Sequence, residues 1–341
     1  MMRFFFVTLI LVSALLLSLS GCGSTARSYG FPEQAFVFED EEKEVSNPPG
    51  VALGPGDQAA APAPEEVNDN QKIIEQLSCG ETYCQMKWPG MLLRPFSSPD
   101  WQRVDLTYPY GSTSDGRLAI HHGVEFPNPY GTAVRAAAGG EVVFAGTDDG
   151  GLIGLYQNFY GNVVVLKHPG LFNGEALYTL YGHLSSIEVA QSESLEPGDI
   201  LGKVGASGVA SGSHLHFEVR SENNNYASTT NPILWFSPLV DQDSAKTGTI
   251  AGRILDRFGK PVSETSITLQ KLDRNGAVVK TYYLQTYAQD GINPHPALAE
   301  NFALPDVPPG DYRLSVVVGT LYEVLFTLEP GMLGFINLQV K

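Results

Sequence analysis

The sequence predicts a mostly β protein of antiparallel sheets, with two β domains behind a long N-terminal segment. Its 341 residues suggest about two domains, at roughly 150 residues per domain. Glycine (36 residues) and proline (23 residues) are frequent, which favours short strands joined by turns over long helices. Between residues 88 and 240, apolar runs separated by glycine recur and no stretch keeps a 3.6-residue period with capping residues, so the first β domain is expected there.

The composition excludes several classes of protein. Hydrophobic residues make up 43% of the chain, enough to build cores, which rules out a wholly disordered protein. Lys and Arg number 21 against 37 Asp and Glu, giving a formal net charge of −16. Because phosphate binding needs clustered basic side chains, nucleic acid is excluded as a partner. Three cysteines cannot staple a chain of this length.

Residues 1–22 have the pattern of an export signal. Arg3 precedes an apolar run from Phe4 to Leu19, and the residues Leu19-Ser20-Gly21-Cys22 stand at its end. That ending resembles the lipobox of bacterial lipoproteins, which implies cleavage before Cys22 and a diacylglycerol on its sulfur. The protein would then be exported and lipid-anchored at the cell membrane or cell surface. A plain signal peptide with an incidental cysteine and a single membrane helix stay as alternatives, although the apolar run is short for a span.

Residues 23–85 are predicted to form a disordered tether. Proline, alanine and glycine are concentrated in residues 54–64, and acidic side chains occupy residues 39–42. Few apolar residues and self-repelling charge keep such a segment extended, although the acidic run could also serve as a docking site. Cys79 and Cys84 lie close together at its end. In an oxidising compartment they are expected to form a local disulfide, since a metal site would need further thiols.

Residues 86–240 are expected to form the first β domain. Short apolar runs predict strands at residues 141–145, 162–166 and 176–181. Residues 214–219 alternate polar and apolar side chains, with both histidines of the run at polar positions. This period of two places the apolar side chains on one face of a strand and the histidines on the other.

Four of the seven histidines lie in polar contexts near glycine: His121, His183, His214 and His216. In a strand, His121 and Glu125 share a face because they are four positions apart. With a histidine from residues 214–216 they would form a site of two histidines and one carboxylate with an open position, a set that catalytic zinc uses. The clustered spacing favours metal binding over four separate structural histidines.

The other three histidines are weaker candidates. His122 competes with His121 as a ligand, but it faces the other side of the strand from Glu125. His168 is expected at the surface or in the wall of the site, and His295, between two prolines, in a loop.

The order and spacing of these residues resemble those of the lysostaphin/LytM-type zinc metallopeptidases, which cut bacterial cell-wall peptides. That family has the pattern H-x-G-x-D, then P-x-G-x-x-V, then Y-x-H-L, and then G-x-x-x-G-x-H-L-H-F-E. The matching segments here are residues 121–125, 129–134, 181–184 and 208–218, and residues 195–202 match the family's turn before the last strands. The resemblance covers about residues 88–225. It implies a LytM-like antiparallel β fold, a bound zinc ion and peptidoglycan as the substrate.

By this resemblance His121, Glu125 and His216 correspond to the zinc ligands, and His183 and His214 to catalytic histidines beside the metal. The family's aspartate is a glutamate here, which moves the carboxylate by one C–C bond, roughly 1.5 Å. Since metal–ligand distances tolerate only about 0.2 Å, the glutamate would need a different rotamer to bind the metal. All four histidines are retained, which favours a working enzyme.

Residues 246–341 are expected to form a second β domain, a prealbumin-like sandwich. Residues 249–254 and 266–270 predict strands, and Asp273-Arg274-Asn275-Gly276 predicts a hairpin turn. Residues 307–314 contain a Val-Pro-x-Gly-x-Tyr segment, which resembles the carboxypeptidase regulatory-like (prealbumin-type) domains. No cluster of titratable residues suggests a second active site, so a spacer or a wall-binding module is expected.

These observations favour a zinc-dependent endopeptidase of peptidoglycan at the cell surface. Two other functions stay open. One is a catalytically silent regulator that recruits or activates another wall hydrolase, and the other is a surface lipoprotein that binds the wall or a partner through its C-terminal domain. Retention of the four histidines separates the enzyme from both alternatives, and only Glu125 speaks against it.

Overall fold

The computed structural model of the protein describes residues 82–151, 153–240, 246–288 and 291–341. These residues all belong to one compact unit. The predicted export signal with Cys22, the tether up to residue 81 and Cys79 lie outside the described residues. In the part of the chain that is described, no helix has the length and apolar character needed to cross a membrane.

The described residues are almost entirely β, which confirms the predicted fold class. Their helical segments are two short 3₁₀ helices, Tyr226–Ser228 and Pro232–Leu234. In chain order the strands are β1 (Tyr83–Lys87), β2 (Val124–Phe126), β3 (Ala133–Arg135), β4 (Gly140–Thr147), β5 (Asn162–Phe172), β6 (Glu175–Ile187), β7 (Ser194–Leu195), β8 (Ile200–Val204), β9 (Leu215–Ser221), β10 (Thr229–Thr230), β11 (Gly248–Leu255), β12 (Ser266–Leu272), β13 (Val278–Gln285), β14 (Phe302–Val307), β15 (Gly310–Val318), β16 (Thr320–Leu328) and β17 (Met332–Gln339).

Strands β2 to β10 form a nine-stranded antiparallel sheet. Its main path runs β10-β9-β6-β5-β4-β7, with β2 beside β9, and with β8 pairing both β3 and β6. Strands β4, β5 and β6 contain the three runs that the sequence predicts as strands. The side chains that hold this sheet are apolar and fully buried, among them Val142, Val164 and Phe217. Burial of each such side chain contributes roughly 1.5–3 kcal/mol to folding.

Strands β11 to β17, together with β1, form two four-stranded sheets. One has the order β1-β17-β11-β14 and the other β13-β12-β15-β16. Apolar side chains from both sheets share one core, so these eight strands form a β-sandwich, which is called the C-terminal domain. The predicted hairpin turn joins β12 to β13, where the Asp273 carboxylate accepts hydrogen bonds from the backbone N–H groups of Asn275 (2.9 Å) and Ala277 (2.8 Å). Strands β11 and β17 run parallel, whereas the other pairs in these two sheets are antiparallel.

Strand β1 comes before the first domain in the chain but belongs to the C-terminal sandwich. It pairs antiparallel with β17 along its whole length, from Tyr83 opposite Ile336 to Lys87 opposite Met332. Cys84 lies in this strand and is disulfide-bonded. The described chain therefore begins with a strand of the C-terminal domain and then continues into the first domain. The division of the chain at residues 85, 240 and 246 stays a prediction.

Strand β9 carries the centre of the candidate site. It lies between β2 and β6, and its register places His216 opposite Glu125 on one side and Gly182 on the other. Gly123 leaves room for the imidazole, because a Cβ at this position would lie only 2.6 Å from His216 Cε1. Strand pairing and one close approach thus bring together residues that are far apart in the sequence.

Candidate metal centre

His121, Glu125 and His216 bring three ligand atoms together in the first domain. Glu125 Oε1 lies 3.0 Å from His121 Nε2 and 2.9 Å from His216 Nδ1, and the two ring nitrogens are 3.4 Å apart. All three residues offer an atom within 4.8 Å of the others. Two imidazole nitrogens and a carboxylate oxygen are the donor set of many divalent-metal sites.

The hydrogen bonds on the far side of each imidazole determine which nitrogen faces the centre with a lone pair. His121 Nδ1 lies 2.6 Å from the carbonyl oxygen of Tyr108. A carbonyl only accepts, so Nδ1 carries the hydrogen and Nε2 the lone pair. His216 Nε2 lies 3.1 Å from Glu218 Oε1, and a proton on Nε2 leaves a lone pair on Nδ1. Two lone pairs and a carboxylate oxygen therefore meet at one point, where a cation stabilises them.

The Glu125 carboxylate has a further free oxygen. Its Oε2 is buried and has no hydrogen-bond partner, although His214 Nε2 lies 3.3 Å away. Burial acts to raise the pKa of Glu125, but the charge of His216 and the nearby His121 and His216 ring nitrogens hold it well below its usual value. A buried carboxylate with an unpartnered oxygen fits a bound metal ion, so the residues present are suited to hold one.

A buried chain of polar groups supports His216 from behind. Glu218 accepts hydrogen bonds from Arg220 Nε (2.8 Å) and from the hydroxyl of Tyr160, and Arg220 Nη2 donates to that hydroxyl (3.0 Å). Burial acts to raise the pKa of Glu218, but mainly the charge of Arg220 lowers it to about 2. Burial also acts to lower the pKa of His216, but Glu125 and Glu218 together raise it to about 10, so without a metal ion Nδ1 also carries a proton. A bound cation would replace that proton and use the Nδ1 lone pair of the neutral ring.

His183 and His214 lie beside the three ligand atoms with their ring centroids 5.0 Å apart. His183 Nδ1 donates to the carbonyl of Ser207 (2.8 Å), and His214 Nδ1 to that of Gly212 (2.9 Å), so each Nε2 carries a lone pair. His183 has a left-handed backbone (φ 60°) at an irregularity in the pairing of β5 with β6, a feature that redirects a side chain. Burial, and next the nearby His216, lower the pKa of His183 to about 4.

The five residues open into a groove of about 660 Å³. Its walls are largely apolar and aromatic, and they include Tyr108, Leu118, Ile120, Tyr156, Phe159, Val209 and Tyr226. Among the described residues that line it, Asp105 and Glu125 are acidic and none is lysine or arginine. This lining suits an extended, uncharged segment of a ligand.

The remaining histidines lie away from the ligand atoms. His122 bonds Thr229 Oγ1 (2.7 Å) and stacks on Tyr226, so it faces away from Glu125 as expected. His168 is buried rather than exposed, because its two nitrogens bond the Gly139 carbonyl and Thr179. His295 lies in a loop but is buried as well.

Sequence reasoning missed the polar chain behind His216. Its signal was present, because Glu218 and Arg220 follow His216 at the same period of two and so share its face of β9. Tyr160 had no comparable signal, since it approaches Glu218 from the loop that precedes β5.

Comparisons with known proteins agree with the position of this site. Residues 119–228 match the model of Peptidase family M23. The DD-carboxypeptidase/endopeptidase Mpg of Neisseria meningitidis serogroup B is 39% identical over 30% of this chain and 20% of its own length. The peptidoglycan DD-endopeptidase ShyA of Vibrio cholerae is 33% identical over 30% of this chain and 21% of its own. The chain thus spans about one fifth of the length of these relatives.

Among solved structures, the catalytic domain of the prophage-encoded M23 protein EnpA from Enterococcus faecalis is similar to part of the chain. The two are 27% identical, and the match covers 41% of this chain and 94% of that one, with a TM-score of 0.33.

Proposed function

Because residues 119–228 form a domain of peptidase family M23, of the LytM/lysostaphin type, we propose that the protein is a zinc-dependent endopeptidase that hydrolyses peptide bonds of bacterial peptidoglycan. The observation that carries this proposal is the convergence of His121 Nε2, Glu125 Oε1 and His216 Nδ1, each with a lone pair directed to a common point. The substrate is inferred from relatives whose names include peptidoglycan endopeptidase activity.

His121, Glu125 and His216 would hold the zinc ion. When bound, zinc polarises a carbonyl group and lowers the pKa of water towards about 7. Three protein ligands leave a position open, as catalytic zinc sites require. The longer side chain of Glu125 already reaches both histidines, so the exchange of the family's aspartate for glutamate leaves the donor set intact.

His183 and His214 would act as the catalytic histidines. Each is held by a backbone carbonyl through Nδ1, which leaves Nε2 able to accept a proton or, once protonated, to donate to developing negative charge. The low pKa of His183 keeps this ring neutral near pH 7, the form that accepts a proton. The substrate peptide would lie in the apolar groove, whose lack of basic side chains among the described residues favours an internal peptide segment over a free carboxylate end.

A second candidate function is a catalytically silent regulator of another wall hydrolase. The observation that favours it is Glu125, since its Oε1 lies 3.0 and 2.9 Å from the two histidine nitrogens, and a protonated His216 can donate to it and hold the site together without a metal ion. For either function we propose an exported protein anchored through a lipid on Cys22, with peptidoglycan as the partner surface.

The test is to measure zinc content and hydrolysis on the full chain purified in detergent. We expect about one zinc per chain and new free amino groups released from purified peptidoglycan. A His183→Gln variant is the matched control, because it should keep zinc and lose turnover. Zinc binding without hydrolysis above this control, across several wall types, would favour the regulator. No bound zinc would contradict the metal centre itself.

A further inference from the structure

We propose that the C-terminal domain is a positioning element of the metal centre, which it serves by holding the segment that orients His121. This inference rests on the proposed metal function. It assigns a task to a domain for which the sequence favours only a spacer or a wall-binding module. This segment consists of residues 108–112 and is called the 108–112 segment.

The 108–112 segment contacts His121 on its ring and on both sides of its backbone. The Tyr108 carbonyl accepts from His121 Nδ1 (2.6 Å), and the Tyr108 ring stacks on the imidazole with centroids 4.3 Å apart and planes 6° apart. Gly111 N donates to the His121 carbonyl (2.8 Å), and His121 N donates to the Ser112 carbonyl (3.0 Å). The position and tautomer of this ring thus depend on the 108–112 segment.

The same segment is bound on its other side by the connection between β13 and β14 of the C-terminal domain. Ala288 N donates to the Gly111 carbonyl (2.8 Å). The Tyr110 hydroxyl bonds the carbonyl of Asn293 at 2.9 Å and that of Thr229, in the first domain, at 2.8 Å. Tyr110 is 2% exposed, so these bonds lie in the interior, where they are not replaced by water.

Gly111 packs closely against Tyr287, which lies in the connection between β13 and β14. Its φ of 77° is left-handed, and a Cβ at this position would lie 2.7 Å from Cδ1 and 2.8 Å from Cγ of the Tyr287 ring. Real Cβ atoms essentially never come this close, so either the ring or the 108–112 segment would have to move. The contact therefore requires glycine for two separate reasons.

Tyr287 cannot move freely to relieve such a contact. Its hydroxyl donates to Glu300 Oε1 (3.0 Å) and accepts from Asn231 Nδ2 (2.6 Å), and its backbone N–H donates to the Asn301 carbonyl (2.7 Å). Tyr287 is also 6% exposed and packs edge-on against Tyr110, with ring centroids 5.5 Å apart. A displacement at Gly111 would therefore be passed to the 108–112 segment and to His121, although metal–ligand distances tolerate only about 0.2 Å.

The experiment compares two glycine variants of the full chain in detergent, Gly111→Ala and Gly116→Ala. Gly116 is the matched control, since it has a left-handed φ of 74° in the same loop and no atom within 4 Å of an added Cβ. Zinc affinity is measured by competition with a chromophoric chelator, and folding by the thermal unfolding midpoint. Gly111→Ala should weaken zinc binding by about tenfold or more, the size seen when a partner of a metal ligand is lost. Gly116→Ala should leave the affinity within about twofold.

A second variant and a zinc titration separate positioning from loss of folding. Tyr110→Phe keeps the ring and removes both hydroxyl bonds, so it decides the question if Gly111→Ala does not fold. Weaker zinc binding with an unchanged unfolding midpoint, and turnover restored by excess zinc, support the inference. If Gly111→Ala folds and its zinc affinity is unchanged, the inference is overturned while the metal centre stands. If Gly111→Ala does not fold, an unchanged zinc affinity of Tyr110→Phe overturns the inference in the same way. A wild-type chain that binds no zinc overturns both.

Discussion

The two histidines of the proposed metal centre are held by different parts of the molecule. His216 lies in β9, and a buried carboxylate from the same strand, Glu218, supports its ring. His121 lies before β2 in a loop, and its ring is held by a main-chain carbonyl and by the stacked Tyr108. The first support lies mostly in β9, with Tyr160 added from outside that strand, whereas the second reaches through Gly111 to the C-terminal domain.

The two supports also differ in their physical character. The support of His216 is charged and fully buried, since Glu218 and Arg220 both have 0% exposure. Removing one partner of such a pair leaves an unpaired charge in the interior, which costs roughly 3–5 kcal/mol. The support of His121 consists of neutral backbone bonds and ring contacts, each worth about 1 kcal/mol. A single substitution in the support of His216 should therefore lower zinc affinity more than one in the support of His121.

The largest expected effect is the loss of a ligand. His216→Ala and His121→Ala each remove one of three protein donors, so bound zinc should fall from about one per chain to near zero. Elemental analysis of the purified chain measures this directly. His122→Ala is the matched control, because His122 bonds Thr229 and lies outside the donor set. Full zinc content in both ligand variants would show that the zinc binds elsewhere.

Next in size is the loss of the carboxylate behind His216. Glu218→Gln replaces a carboxylate, which only accepts hydrogen bonds, by an amide, which can also donate. The hydrogen on His216 Nε2 is then no longer required, and Arg220 loses its charged partner. We expect zinc affinity to fall by about 10–100-fold. Nitrogen NMR of the His216 ring reports the tautomer, and an exposed change, Glu323→Gln, serves as the control. If the tautomer and the zinc affinity both equal those of wild type, the charged support of His216 does not matter more than the neutral support of His121.

A smaller effect is expected from shortening Glu125, whose carboxylate lies between His121 and His216. Glu125→Asp draws the carboxylate back by roughly 1.5 Å from positions now 3.0 and 2.9 Å from the two histidines. If the site is adjusted to glutamate, zinc affinity and muropeptide release should both fall, by about tenfold. Higher release from Glu125→Asp than from wild type would instead indicate a site that lost its activity when aspartate was replaced.

The smallest expected effect is on stability and concerns Glu300, which accepts a hydrogen bond from the Tyr287 hydroxyl. Burial raises the pKa of Glu300 to about 8, and its hydrogen bonds from Tyr287 and from the His295 backbone, together with the charge of Arg253, only partly oppose this. The folded state therefore binds the proton more tightly than the unfolded state. Its contribution to stability is present in full below the usual carboxyl pKa and is lost as the pH rises towards 8.

Chemical denaturation at pH 5, 6, 7 and 8 measures this dependence. Glu300→Gln keeps an acceptor for Tyr287 and cannot ionise, and the buried histidines titrate alike in both proteins. The free energy of unfolding of wild type relative to this variant should therefore decline over the range, at up to about 1.4 kcal/mol per pH unit. Equal slopes for both proteins would mean that Glu300 does not titrate in this interval.

Part of this molecule follows from local sequence alone. Glycine-separated apolar runs predicted β4, β5 and β6, and the Asp273–Gly276 turn predicted the hairpin of β12 and β13, because turns and strands depend on neighbouring residues. The period of two in residues 214–219 placed apolar side chains and histidines on opposite faces of β9 for the same reason. The motif spacing named the five candidate site residues, whose roles stay a prediction.

Other features were decided only by the tertiary structure. The opposition of Glu125 to His216 depends on the register of β2 with β9, which no local pattern in the sequence specifies. The contact of Tyr110 with Asn293 joins residues 183 positions apart, and the place of β1 beside β17 joins the two ends of the described chain. Such contacts depend on the fit of surfaces that exist only once both domains have folded. Composition and periodicity therefore determined the strands and their faces, whereas packing determined which residues hold His121.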